Sequence, residues 1–154
     1  LALAYPFSEG VATDIDQDAL EIATKNFINS SKQSNLKFYC GNWWSPLESF
    51  KGKLDLAISN PPYIPRDTYE KLPKEVKNFE PKVALLGGED GLKHIREIIH
   101  KAPLFLKENG WLILENHFDQ SEKVKQLLIK NKFTSIEIVK DFSGIGRFTI
   151  GRYK

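Results

Sequence analysis

The 154 residues carry 22 basic and 20 acidic side chains, a net charge of +2, with 41% hydrophobic and 27% charged residues. That balance argues against disorder, gives no sign of a basic nucleic-acid footprint, and suits one domain burying about 70% of its unfolded surface. Cys40 is the only cysteine, which excludes an intrachain disulfide and a cysteine-based zinc site and points to a reducing, cytoplasmic setting, and no apolar run approaches the roughly 20 residues that span a bilayer.

In chain order, residues 1–5 (LALAY) read as the last turn of a helix stopped by Pro6. Gly10 to Ile15 is a short strand ending in acids, and Asp16 to Asn29 a helix with Leu20, Ala23 and Phe27 on one face. Leu36 to Cys40 and Leu54 to Ser59 are strands. A proline-bearing loop follows, then a helix within Asp90 to Phe105, with Leu92, Ile95, Ile98 and Ile99 at helical spacing. Trp111 to Glu115 is a near-continuous apolar strand, and Gln120 to Asn131 a helix with Val124, Leu127 and Leu128 inward. Thr134 to Val139 and Arg147 to Arg152 close the chain as a strand pair. Strands alternating with helices predict a doubly wound, mostly parallel α/β sheet with an antiparallel C-terminal edge. The apolar strands suit a sheet covered on both faces.

In open α/β sheets, ligands bind beyond the carboxyl ends of strands. After the first strand stand Asp14 and Asp16; either could cap the next helix, and Asp14 could accept hydrogen bonds from two ribose hydroxyls. After the second come Asn42 and Trp43, where an amide could read an adenine edge. After the third comes Asn60-Pro61-Pro62-Tyr63. Two prolines remove two N–H donors and fix two φ angles, so the strand must stop in a rigid loop. The Asn60 amide and the Pro61 carbonyl offer two acceptors for a planar NH2 group, and Tyr63 a ring to stack on it. Such a site would aim a poor nitrogen nucleophile at an electrophile; a tight turn without chemistry is the plainer alternative.

Asn60-Pro61-Pro62-Tyr63 after an apolar strand resembles the signature of amino-methyltransferases that use S-adenosylmethionine. With Phe79-Glu80-Pro81, Ala84-Leu85, Gly87-Gly88-Glu89-Asp90-Gly91-Leu92, Leu114-Glu115 and the closing Asp141-Phe142, Gly146-Arg147 and Gly151-Arg152-Tyr153, the chain resembles the HemK-like protein-(glutamine-N5) methyltransferases. The resemblance implies a class I, Rossmann-like fold and S-adenosylmethionine as cofactor. It implies methylation of the glutamine amide in the Gly-Gly-Gln motif of peptide chain release factors. Asn60, Pro61, Pro62 and Tyr63 would form the catalytic loop, and Asp14, Asn42, Trp43 and Asn60 would hold the cofactor, with no metal. Asn42 stands where many relatives have an acid, and Asn116-His117 replaces a frequent His-Gly. His94, His100 and His117 read as solvated or structural.

The chain begins at Leu1 and contains no methionine. The family pattern implies a first strand, a glycine-rich cofactor turn and an N-terminal helical domain, all expected upstream of Leu1. Residues 1–154 are thus expected to be a partial catalytic domain, unstable or aggregation-prone, a poor cofactor binder and inactive alone, because the first strand would be central to the sheet. Two other readings are an amino-methyltransferase for an exocyclic amine of adenine or cytosine in nucleic acid, and a non-catalytic remnant of the fold.

Overall fold

A computed structural model describes residues 4, 5, 7–30 and 35–154; the helical turn expected over residues 1–5 falls largely outside them. The sequence reads as one domain, and the packing separates it into two compact units, Leu1–Ser49 and Phe50–Lys154.

In the first unit, β1 (Glu9–Asp14) and β2 (Asn35–Cys40) pair in parallel from Glu9 opposite Asn35 to Asp14 opposite Cys40. Parallel neighbours need a crossover, and α1 (Gln17–Ser30) supplies it. Asp16 caps α1: its Oδ1 accepts the N–H groups of Asp18 at 2.8 Å and Ala19 at 3.2 Å. Leu20 is buried, and the Phe27 ring meets Phe38 of β2 edge-on at 5.8 Å. The chain turns out of β2 through Trp43, a non-glycine residue at φ 48°, into a 3-10 turn over Ser45–Phe50 that no sequence period announces.

The second unit is built on a four-stranded mixed sheet. Its strands are β3 (Leu54–Ser59), β4 (Leu106–Glu115), β5 (Phe133–Lys140) and β6 (Gly146–Tyr153), in the order β3-β4-β6-β5. The last two strands do pair antiparallel, but β6 lies inside the sheet, bonded to β4 as well, and β5 takes the edge. The hairpin between them closes on Asp141, whose Oδ1 accepts the N–H groups of Ser143 and Ile145, with Gly144 at φ 79° completing the turn.

Three one-turn helices, α2 (Arg66–Glu70), α3 (Lys74–Phe79) and α4 (Lys82–Leu85), occupy the stretch expected to be loop. Each is entered through a proline, Pro65, Pro73 or Pro81, whose missing N–H costs nothing at a helix start. The long helix α5 (Lys93–Phe105) buries Ile95, Ile98, Ile99, Ala102 and Phe105 along one stripe. Helix α6 (Ser121–Lys130) buries Val124 and Leu128 and ends before Lys132, at φ 67°. Leu112 and Leu114 of β4 are fully buried. Full coverage of both sheet faces was expected, and here the structure differs. Leu56 and Ile58 of β3 are 39% and 51% exposed, because strand residues two apart share a face and the described residues leave that face of β3 open.

Candidate functional site

At the carboxyl end of β1 and β2, Asp14 is exposed and its Oδ1 accepts the Asp16 N–H at 2.9 Å. Its second carboxylate oxygen is open among the described residues. The Asp14 carbonyl accepts the Gly41 N–H at 2.8 Å, which joins the two strand ends. Asn42 is exposed and Trp43 half-buried, and the Asn42 carbonyl accepts the Ser45 N–H at 2.9 Å. Three of the four residues expected to hold a cofactor thus share one pair of strand ends in the first unit. The fourth, Asn60, belongs to the second unit.

There, β3 stops at Ser59, Asn60 is exposed, and Pro61 is fully buried. An exposed amide next to a buried ring means that the loop is anchored while its polar end faces out. Tyr63 is half-buried; its hydroxyl donates to Oε1 of Glu115, the last residue of β4, at 3.4 Å. Burial first, and then the Glu115 carboxylate, push the Tyr63 phenol above its ordinary pKa, with Arg147 opposing. Tyr63 is therefore a neutral hydrogen-bond donor at physiological pH. The His117 ring lies 6.2 Å from the Tyr63 ring and 4.3 Å from Phe118, and its Nδ1 sits 2.7 Å from Asp119 Oδ1. A histidine expected to be structural thus borders the loop.

The run Gly87 to Leu92 lies beside this loop. Ile64 donates to the Leu85 carbonyl at 3.0 Å, Gly87 to the Ile64 carbonyl at 2.9 Å, and Arg66 to the Gly88 carbonyl at 3.0 Å. A Cβ on Gly87 would come within 2.8 Å of the Pro62 carbonyl, and one on Gly91 would collide with the Tyr63 carbonyl. Gly91 also sits at φ 74°, so both its space and its backbone require glycine. An open hollow of about 460 Å³ beyond these glycines is lined by Arg66, Lys93, His94 and Arg96 among others. Arg66 pairs with Glu89 and Arg96 with Asp90, so two of its cations face acids of the same rim. The Arg96 guanidinium holds the Asp90 carboxyl down at about 2.

Asn116 is fully buried, with Nδ2 donating to the His117 carbonyl and to Ser121 Oγ, both at 2.9 Å, and Oδ1 accepting from Thr149 Oγ1 at 2.7 Å. It locks β4, β6 and the start of α6 together. Its place in the Asn-His pair marks a structural pin.

No family model matches the chain. It is 39% identical over 148 residues to a release factor glutamine methyltransferase of Prochlorococcus marinus, covering 96% of this chain and 50% of that protein. The chain spans about half the length of the curated relatives it matches. Among solved structures it is similar to a methyltransferase from Pyrococcus furiosus, with a TM-score of 0.66 at 18% identity over 98% of this chain and 67% of that one. It is also similar to a release-factor-specific protein-(glutamine-N5) methyltransferase from Alicyclobacillus acidocaldarius, with a TM-score of 0.52 at 17% identity over 96% of this chain and 80% of that one. The fold is that of the class I S-adenosylmethionine-dependent methyltransferases.

Proposed function

We propose that this chain, a relative of the release factor glutamine methyltransferases over nearly its whole length, carries part of an enzyme that methylates the side-chain amide of a release-factor glutamine. The observation that carries the proposal is the loop Asn60–Tyr63, where an exposed amide and two prolines are fastened to distant segments of the second unit. Bound S-adenosylmethionine supplies an electrophilic methyl group. Asn60 Oδ1 and the Pro61 carbonyl accept the two N–H groups of the substrate amide, which keeps the amide plane fixed and turns one face of the nitrogen outward. The neutral Tyr63, tied to Glu115, packs against that plane. The nitrogen would take the methyl group as the donor's methyl–sulfur bond breaks and its sulfonium becomes a neutral thioether, and would give up one proton to water; the sulfonium supplies the reactivity and the protein the orientation.

The residues of the first unit suit the adenosine end of the cofactor. The open oxygen of Asp14 would accept from the ribose hydroxyls, and Asn42 with Trp43 would border the adenine. The cytoplasm, where release factors work, is the corresponding location, and no helix among the described residues is long and apolar enough to cross a membrane.

The test uses a chain extended to the relatives' length, labelled S-adenosylmethionine, and a release factor with and without a Gln→Ala change in its Gly-Gly-Gln motif. Label on the unaltered factor alone is the expected result. Label on neither, with cofactor bound, overturns the substrate assignment and directs the search to amines of nucleic acid.

A further inference from the structure

The loop Asn60–Tyr63 cannot hold itself. Pro61 and Pro62 have no N–H to give, and β3 has ended. One support is the floor made by Gly87 and Gly91, which lets the Pro62 and Tyr63 carbonyls lie directly against backbone. The floor limits how far the loop can sink, but it does not pull the loop down. Backbone bonds at Ile64 and Arg66 hold the residues that follow, and the pull on the Tyr63 carbonyl itself comes from a residue 57 positions away.

Gln120 is 2% exposed, at the entrance to α6. Both ends of its side-chain amide are engaged: Oε1 accepts the His117 N–H at 3.0 Å, and Nε2 donates to the Tyr63 carbonyl at 2.9 Å. Its backbone N–H donates to the His117 carbonyl at 2.9 Å, so the turn that carries it is fixed as well. A buried amide spanning two loops has one length. Moving either loop would strand a buried polar group, which is unfavourable enough to favour one geometry.

We infer that Gln120 is a positioning residue for the Asn60–Tyr63 loop, setting the peptide plane after Tyr63 and, through the stiff Pro61-Pro62 pair, the direction of the Pro61 carbonyl. The catalytic consequence rests on the reading of that loop as the clamp for an amide; the mechanical role does not. Gln120 touches neither substrate nor cofactor in this role. It acts through the Tyr63 backbone carbonyl, while Glu115 accepts from the hydroxyl of the same residue.

The experiment compares the protein with its Gln120→Glu and Gln120→Met variants. Glutamate keeps an acceptor for the His117 N–H but offers no donor to Tyr63; methionine keeps only the length. The first readout is amide exchange at Ile64 and Arg66, set against Leu112 and Thr149 in the β4–β6 ladder. Loop amides exchanging about tenfold faster in both variants, with the ladder unchanged, is the expected result. Unchanged loop exchange, or equal acceleration in loop and ladder, overturns it. The second readout is methyl transfer by the chain extended to the relatives' length. A fall in kcat of about tenfold or more, with cofactor affinity unchanged, supports the positioning role. An unaltered kcat overturns it. Should the unsubstituted enzyme transfer no methyl group, the functional reading fails by itself and the exchange data still decide the strut. If neither variant folds, the unsubstituted protein suffices: a Gln120 Nε2 proton protected from solvent exchange supports the bond to Tyr63, and a rapidly exchanging one overturns it.

Discussion

Two loops leave strands at their carboxyl ends, and only the second also shows side-chain bonds from distant residues. The turn after β2 shows backbone bonds, Asn42 to Ser45 within itself and Gly41 across to the Asp14 carbonyl at the end of the paired strand. The loop after β3 is secured from afar, by Leu85, Gly88, Glu115 and Gln120. A carboxylate that accepts from flexible hydroxyls tolerates small errors in placement. An acceptor pair that must aim a nitrogen does not, since misplacement by about 1 Å costs on the order of 10²-fold in rate. Distant fastening belongs where direction matters.

The largest expected effect tests that contrast directly. Asn60→Ala should lower kcat by about 10²-fold or more while cofactor affinity, read by calorimetry, changes little. Asp14→Ala should do the reverse, weakening cofactor binding by roughly 10- to 10²-fold through the loss of charge-assisted hydrogen bonds, with kcat at saturation nearly kept. Equal losses in both quantities, in either variant, would erase the distinction between the two loops.

A smaller effect probes the fastening of the second unit. Asn116→Ala leaves the hydroxyls of Thr149 and Ser121 short of a partner and should lower stability by about 1–3 kcal/mol, measured as a shift in denaturant midpoint. Asn42→Ala, at an exposed position, should move that midpoint by less than about 0.5 kcal/mol. The smallest effect concerns pH. Arg96 depresses the Asp90 carboxyl in the folded state, so the pair stabilises above the ordinary carboxylate range and is lost as pH falls toward about 2. Because both partners are half exposed, the contribution is about 0.2–1 kcal/mol, and Asp90→Asn should remove that part of the acid dependence from a urea-midpoint titration.

Much of this was legible in the sequence, for physical reasons. Strands β4 and β6 and helices α5 and α6 each bury a repeating face, and burial writes a period into the residues. The cap at Asp16 and the break at Pro61-Pro62 are local chemistry, equally readable. The helices α2, α3 and α4 were not, since one turn is too short to show a period; the only hint was a proline ahead of each, at Pro65, Pro73 and Pro81. The sequence places Gln120 at the start of a helix, and nothing local marks its side chain as buried. Its role depends on a carbonyl 57 positions away, which no local pattern encodes. The same holds for Glu115 and His117, which come to Tyr63 only through the sheet.

The place of β6 between β4 and β5 has a consequence for synthesis. Residues 146–153 bond to both neighbours, so a growing chain that has emerged only as far as Ile145 holds β4 and β5 with no ladder between them. Until residues 146–153 clear the ribosome, the inner edge of β4 remains an open template for any passing strand. The sheet of the second unit therefore closes only once β6 is available, and a holdase covering the Trp111–Glu115 edge until then would protect the nascent chain most.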